Sequence, residues 1–216
     1  MNSVAIITGA SRGLGLTLAQ AFAASDWQVI GTGRSKRPAD FPAGASYEQF
    51  DAGSAEVCDR FWEQLHGEHL DAEICLVNNA GSYVSGSLLE ARPEDYEQQM
   101  RSIYFSAVYM TKGLTSVFPK ARIINIISSS ALAAHTNNSA YGAAKAAEMH
   151  FFQSLQQEFK PEQYQITNLY PSDIASHGPN PNAISTEDLA YFIRELTEDN
   201  KTFYVRDVTM YPRKRN

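Results

Sequence analysis

Val4-Ala5-Ile6-Ile7 is a short apolar run of the kind a sheet buries on both faces, and Thr8-Gly9-Ala10-Ser11-Arg12-Gly13-Leu14-Gly15 follows it directly. From that turn a helical pattern runs to about Ser25, so the segment reads strand, glycine turn, helix. Glycines let a backbone turn sharply and approach a ligand closely. The amino terminus of the following helix offers free N–H groups and the positive end of its dipole. A tight turn without any ligand would also use glycine. The strand before and the helix after favour a phosphate-binding role for Gly9, Ser11, Arg12, Gly13, Leu14 and Gly15.

The same alternation continues outward from this segment. Trp27–Gly33, Ser46–Phe50, Ile74–Val77, Arg122–Ile127, Gln165–Tyr170 and Thr202–Val208 read as further strands. Helices are expected from Ser54 to about His66, from Pro93 to just before Pro119, over Ser139–Lys160 and over Thr186–Leu196. Pro93 suits a first helical turn, Glu94 and Asp95 sit at its positive end, and Ser185 and Asp188 have capping-box spacing. Parallel strands need crossover connections. Alternation over the whole length therefore predicts an α/β chain with a Rossmann-like doubly wound parallel sheet of about seven strands and helices on both faces. No repeat or linker interrupts the pattern, so residues 1–216 are expected to form a single domain.

Composition narrows the classes further. With 44% hydrophobic and 19% charged residues the chain falls in the ordinary globular range, which argues against disorder and low complexity. A net charge of −6 without a basic stripe argues against nucleic acid as a partner, and Arg213, Lys214 and Arg215 read as a solvated tail. No apolar run has the length of a membrane span, and no charged leader precedes the first strand. A cytoplasmic protein with no membrane partner is expected. Cys58 and Cys75 are too few for a disulfide framework and read as inert thiols in a reducing compartment. His66 and His69 lack further ligands nearby and read as a solvated helix end, so no metal is expected.

The spacing Gly9-xxx-Gly13-x-Gly15 differs from the Gly-x-Gly-xx-Gly fingerprint and resembles the TGxxxGxG motif of the short-chain dehydrogenase/reductase family. Other motifs of that family follow in order. Asn78-Asn79-Ala80-Gly81 stands after the fourth strand like the family's NNAG segment, and Tyr141 and Lys145 match its YxxxK pair. A tyrosine four residues before a lysine arises easily by chance. The order of Asn125, Ser128, Tyr141 and Lys145 reproduces the family's catalytic segment, and the resemblance covers nearly the whole chain. Ser129 is the alternative serine, because Ser128, Ser129 and Ser130 are consecutive. Asp51 and Ala52 resemble the family's adenine-contacting pair. Pro171–Ser176 resembles its PGxxxT segment, which brings Pro171, Ser176 and the backbone of Ile174 to the cofactor. The resemblance implies a cofactor half over 1–90, including Asn79, Ala80 and Gly81, and a catalytic and substrate part over 91–216.

A free tyrosine titrates near pH 10, roughly, and a nearby cation favours its phenolate. Separation by four residues sets Tyr141 and Lys145 on one helix face. The resemblance implies that Tyr141 gives a proton to a substrate carbonyl oxygen, Ser128 hydrogen-bonds that oxygen and Lys145 holds the nicotinamide ribose. Hydride then passes between the nicotinamide and a small-molecule carbonyl or alcohol substrate. Charge bears on cofactor choice. Sheets of this type that use NAD place an acid near the end of the second strand, and Arg34 stands there instead. Arg12 offers a second guanidinium, and guanidinium donors match phosphate oxygens, so NADP(H) is expected over NAD(H). The alternative is that Arg34, Lys36 and Arg37 form only a solvated loop.

Three departures from the family pattern stand out. Ile103 falls where the family's relay asparagine belongs, so neighbouring Ser102 substitutes through water, proton exchange with solvent takes another route, or turnover suffers. Ser172 replaces the glycine after Pro171, with strain in the turn as one expected consequence. The Gly-, Pro- and Asn-rich stretch Ser172–Ser185 leaves little room for a helical lid and suits an open site for bulky or varied carbonyl compounds. Tyr83, His135, Tyr170 and His177 are candidate lining residues. A competing reading is an NADPH-binding sensor or scaffold with little catalysis; a sugar-nucleotide epimerase is disfavoured by glycine spacing and chain length. The family resemblance also implies a homodimer or homotetramer through the two long helices, with Phe105, Tyr109, Phe151 and Phe152 as candidate contacts.

Overall fold

In the computed structural model, which describes residues 3–69, 71–176, 178–198 and 202–213, the opening apolar run becomes β1 (Ser3–Thr8), buried from Val4 onward. It pairs in parallel with β2 (Trp27–Gly33) on one side and β4 (Glu73–Asn78) on the other. With β3 (Ser46–Gln49), β5 (Ala121–Ile126), β6 (Tyr164–Pro171) and β7 (Asp207–Met210), the all-parallel sheet has the order β3-β2-β1-β4-β5-β6-β7. Strand order reverses between β1 and β4. The loops leaving those two strands therefore diverge and open a crevice at the carboxyl edge of the sheet.

Alternate strand residues point to opposite faces, and each face buries its own core. On one face Ala5, Ile7 and Val77 pack with Leu14, Leu18 and Phe22 of α1 (Gly13–Ala23) and Leu189 and Ile193 of α6 (Thr186–Glu195). On the other, Ile6, Leu76 and Ile123 pack with Trp62 of α2 (Ala55–Glu68), Met110 and Leu114 of α4 (Ser106–Val117) and Phe152 of α5 (Ser139–Glu158). Trp62 is fully buried, and a Cβ at Gly113 would stand 2.4 Å from its ring. Glycine at that point is what lets α2 and α4 close on the indole. Phe152, a candidate contact between subunits, faces this core instead and is fully buried, whereas Phe105 is 39% exposed.

The long helix expected from Pro93 is not continuous. It runs as α3 (Pro93–Gln99), a π-helical turn over Met100–Phe105, and α4, with Phe118 extended beyond it. The Ser106 hydroxyl donates to the carbonyls of Ser102 (2.8 Å) and Ile103 (3.1 Å), occupying backbone acceptors where the helix widens. The last strand also begins later than Thr202. The Thr167 hydroxyl takes up the Val205 carbonyl (2.6 Å), so the ladder to β6 starts only at Asn168 and Asp207. β3, β5 and α5 match their expected positions to within two residues at each end.

A row of polar side chains, buried at Asn78, Asn125 and Asn168, crosses the carboxyl half of the sheet. Asn78, Asn125, Asn168 and Asp207 are register partners on β4 to β7. Asn78 donates to Asn125 (2.9 Å), Asn125 to Asn168 (2.9 Å) and Asn168 to Asp207 (3.2 Å). Each polar side chain is partnered by the next strand, which pins the strand ends that carry the site.

Both cysteines lie in these cores. Burial pushes the Cys75 thiol up to about 12, and burial with the nearby Asp59 and Asp51 carboxylates pushes Cys58 up to about 12 as well. Thiolate is the reactive form. Neither thiol is therefore expected to react with an aromatic disulfide reagent at neutral pH, and both should react after denaturation. Absorbance of the released thiol reads the result directly.

Candidate active site

Thr8 ends β1, and its hydroxyl accepts from the backbone N–H groups of Asn79 (3.0 Å) and Ala80 (2.9 Å). The Asn79 side chain donates back to the Thr8 carbonyl (2.9 Å). These bonds strap the loop after β4 to the glycine turn, across the point where strand order reverses. Gly9 and Gly13 adopt positive φ (68° and 55°), and a Cβ at Gly15 would lie 2.3 Å from the Gly9 carbonyl oxygen. The amino terminus of α1 has no side-chain cap and no acid in its first turn, so no side chain caps its first N–H groups.

Beside the turn lies a cavity of about 150 Å³ that brings together Gly9, Ser11, Arg12, Arg34, Asp51, Ala52, Ala80 and Gly81. Asp51 is held by the Gly53 N–H (3.0 Å) and an ion pair with Arg101 (3.2 Å). Its charge is thus met by a neighbour while Arg12 and Arg34 remain beside the cavity. Leu14 turns its side chain into the α1 core, which leaves only its backbone for a ligand. Thr32, Phe50 and Ser106 also line the cavity together with Ser102, a set that local motif reading does not bring together because it converges from three separate segments.

Pro171 is buried at the end of β6. The backbone of Ser176 folds back onto the glycine turn: its carbonyl oxygen lies 3.2 Å from where a Cβ on Gly13 would stand. Ile174 pairs with Ile184, and the Ile184 N–H donates to the Asp173 carbonyl (2.8 Å), so the described part of Ser172–Ser185 is a strapped loop without a helix. Ser172 has no positive φ and donates its N–H to Met210 (2.9 Å). The strain expected of a serine in that place is absent. His177 lies outside the described residues.

Ser128 follows β5, is buried, and accepts from the Ser130 N–H (3.1 Å) at the start of a short 3₁₀ turn that begins at Ser129. Tyr141, in the first turn of α5, packs edge-on against Tyr83 with ring centroids 5.0 Å apart. Lys145 is buried one turn further. Its ammonium donates to the Ile126 carbonyl (2.7 Å), two residues before Ser128, and to Glu148 (2.7 Å). The lysine thus ties α5 to the strand that carries the serine. Burial pushes the Glu148 carboxyl above the usual carboxylate range, with the Lys145 ammonium pulling the other way.

The family model for short chain dehydrogenase matches residues 3–183. The chain belongs to the short-chain dehydrogenase family. It is similar to a fatty acyl-CoA reductase of Acinetobacter baylyi, 34% identical over 182 residues that cover 77% of this chain and 61% of that protein. The chain therefore spans about three fifths of that relative. In fold it is similar to an alcohol dehydrogenase from Thermococcus sibiricus solved with 5-hydroxy-NADP (TM-score 0.87, 19% identity, 100% of this chain and 99% of that one). It is also similar to a short-chain dehydrogenase/reductase from Vibrio parahaemolyticus (TM-score 0.85, 26% identity, 98% of each chain).

This short-chain dehydrogenase carries an apolar side chain, Ile103, fully buried in the π-helical turn. Adjacent Ser102 shares a hydrogen bond with Ser82 (2.8 Å), which also accepts from Gln99 (2.8 Å). Tyr170 does not line the site: it is buried and donates to Asp207 (2.8 Å), completing the amide row. His135 is exposed, and His66, at the expected helix end, is partly exposed and also packs edge-on against Phe118 (5.1 Å). Among the described residues, no helix is long and apolar enough to cross a membrane, and no three His, Cys, Asp or Glu side chains cluster as metal ligands.

Proposed function

We propose that the chain is an NADP(H)-dependent oxidoreductase that interconverts a small carbonyl compound and its alcohol, with Tyr141 as general acid and base. The observation that carries this reading is the buried Lys145 bridging α5 to the Ile126 carbonyl beside Ser128, one turn from Tyr141. The dinucleotide fits the residues present. An uncapped helix end, two positive-φ glycines and two guanidiniums around one cavity form a donor set suited to phosphates.

Reduced nicotinamide, when bound, supplies hydride to the carbonyl carbon. Ser128 already accepts from Ser130, which leaves its own hydrogen to donate to a substrate oxygen. Two of the three Lys145 N–H bonds are committed, and the third is left for a ribose hydroxyl. Tyr141 delivers the proton to the carbonyl oxygen. The backbone of Ile174 would meet the nicotinamide carboxamide, and Gly81 lines the cavity in which Arg12 and Arg34 would hold the 2′-phosphate. Exposed Tyr83, Leu88, Leu89 and Leu132 stand on the loops after β4 and β5, which favours a carbonyl compound with an apolar body. The test is consumption of NADPH by the purified protein against a panel of aldehydes, ketones and quinones, followed by cofactor absorbance. No turnover with any of them would sink this reading.

Arg34→Glu is expected to weaken NADPH binding about 10- to 100-fold, the worth of a lost charge-assisted contact, and to change NADH binding little. Fluorescence titration with each cofactor separates the cases. Equal losses for both would remove Arg34 from the phosphate site.

A second reading is a cofactor-binding sensor with little chemistry, favoured by fully buried Ile103 at the place of the relay asparagine. Tight NADPH binding without turnover would select it. Self-association is also proposed, through α5 and the helix that runs from α3 through the π-helical turn into α4, where half-exposed Phe105 stacks on Tyr109 (5.7 Å). Buried, unpaired thiols support a cytoplasmic location.

A further inference from the structure

Tyr141, Lys145 and Glu148 stand at i, i+4 and i+7 on α5, a spacing that sets all three on one helix face with the lysine in the middle. The Lys145 and Glu148 side chains are 5% and 1% exposed and 2.7 Å apart. We propose that Glu148 is a positioning residue that offsets the charge of Lys145 behind Tyr141 and so holds the tyrosine in its proton-donating form near neutral pH. This rests on the reading of Tyr141 as the acid and base.

A lone buried ammonium would present a full positive charge to the phenol. Paired with a carboxylate at hydrogen-bond distance, it presents a dipole, whose field falls off faster. The desolvation of Glu148 is a cost that a structural anchor would avoid, because the Ile126 carbonyl already holds the lysine and apolar side chains fill such space as well or better.

The other titratable groups on elements packed against α5 are tyrosines or are engaged elsewhere. On α3, the Tyr96 hydroxyl bonds Ser139, Asp95 is bound by Arg92, and Glu94 and Glu97 are exposed. On the π-helical turn, Tyr104 lies edge-on to Phe151 and Arg101 pairs with Asp51. Lys112 of α4 is exposed, Tyr83 packs on Tyr141 itself, and at the sheet Tyr170 bonds Asp207. Burial and Lys145 are the influences on the Glu148 carboxyl.

The test uses cofactor-free protein labelled with carbon-13 at the tyrosine ring carbon bearing oxygen, the Tyr141 signal being the one lost in Tyr141→Phe. In Glu148→Gln the pH midpoint of that signal is expected to fall by about one pH unit or more, and Glu148→Asp to restore most of it. With NADPH, the pH above which the rate of carbonyl reduction falls should drop by about one unit in Glu148→Gln. A midpoint that stays or rises overturns the proposal and leaves Glu148 a structural anchor. If Glu148→Gln does not fold by circular dichroism, Lys145→Met/Glu148→Leu replaces it. An offset pair predicts a midpoint within about one pH unit of wild type, and a wild-type midpoint further below that of the double variant overturns it. Activity retained in Tyr141→Phe would instead remove the underlying acid and base assignment.

Discussion

Tyr141→Phe is expected to lower carbonyl turnover roughly 10²- to 10⁴-fold, the usual worth of a positioned general acid, while cofactor binding and thermal stability change little. The substitution removes one hydroxyl from a half-buried ring and keeps the edge-on contact with Tyr83. The glycine turn and the guanidiniums that would hold the dinucleotide lie at β1 and β2, on other elements. A loss confined to kcat, with KM and the NADPH dissociation constant near wild type, would mark a group acting at the transition state rather than in binding. Steady-state kinetics beside a cofactor titration and a melting curve measure all three. Unchanged turnover would leave Tyr141 a packing residue and require another acid.

Lys145→Met is expected to cost about 3–5 kcal/mol, because it strands the Glu148 carboxylate in a dry interior. On a chain of this size that corresponds to a fall in Tm of about 10 °C. Adding Glu148→Leu should recover most of the loss, since removing both charges removes the desolvation cost as well. The pH dependence has a definite sign. A carboxyl that burial raises above its unfolded value binds its proton more tightly when folded. The stability it contributes is therefore present at acid pH and is lost as pH rises from the unfolded value of about 4.3 through the raised folded one. Loss of the ammonium raises the folded value further, so the defect of Lys145→Met should grow with pH over that range. Urea denaturation of the single and double variants at several pH values measures this. A cost below about 1 kcal/mol for the single variant would mean the pair is solvated rather than coupled.

Much of the site was legible because its signals are local. The glycine turn is set by backbone conformation at Gly9 and Gly13, and the strap through Thr8 and Asn79 lies within two contiguous motifs. Tyr141 and Lys145 share a helix face by spacing alone. Glu148 is just as visible in the sequence, but a lysine three residues before a glutamate is ordinary on a solvated helix, and nothing local distinguishes a buried pair from an exposed one.

Periodicity, turn chemistry and motif order, each written within a few residues, determined the parallel α/β architecture, the glycine turn and the candidate serine, tyrosine and lysine. Contacts between distant segments decided the rest: the Thr167 hydroxyl that delays β7, and the turning inward of Phe152 while Phe105 stays outside. Burial of Lys145 and Glu148 belongs to the same class. Strength of charge depends on how much water surrounds it, and only the closing of α5 onto the sheet removes that water.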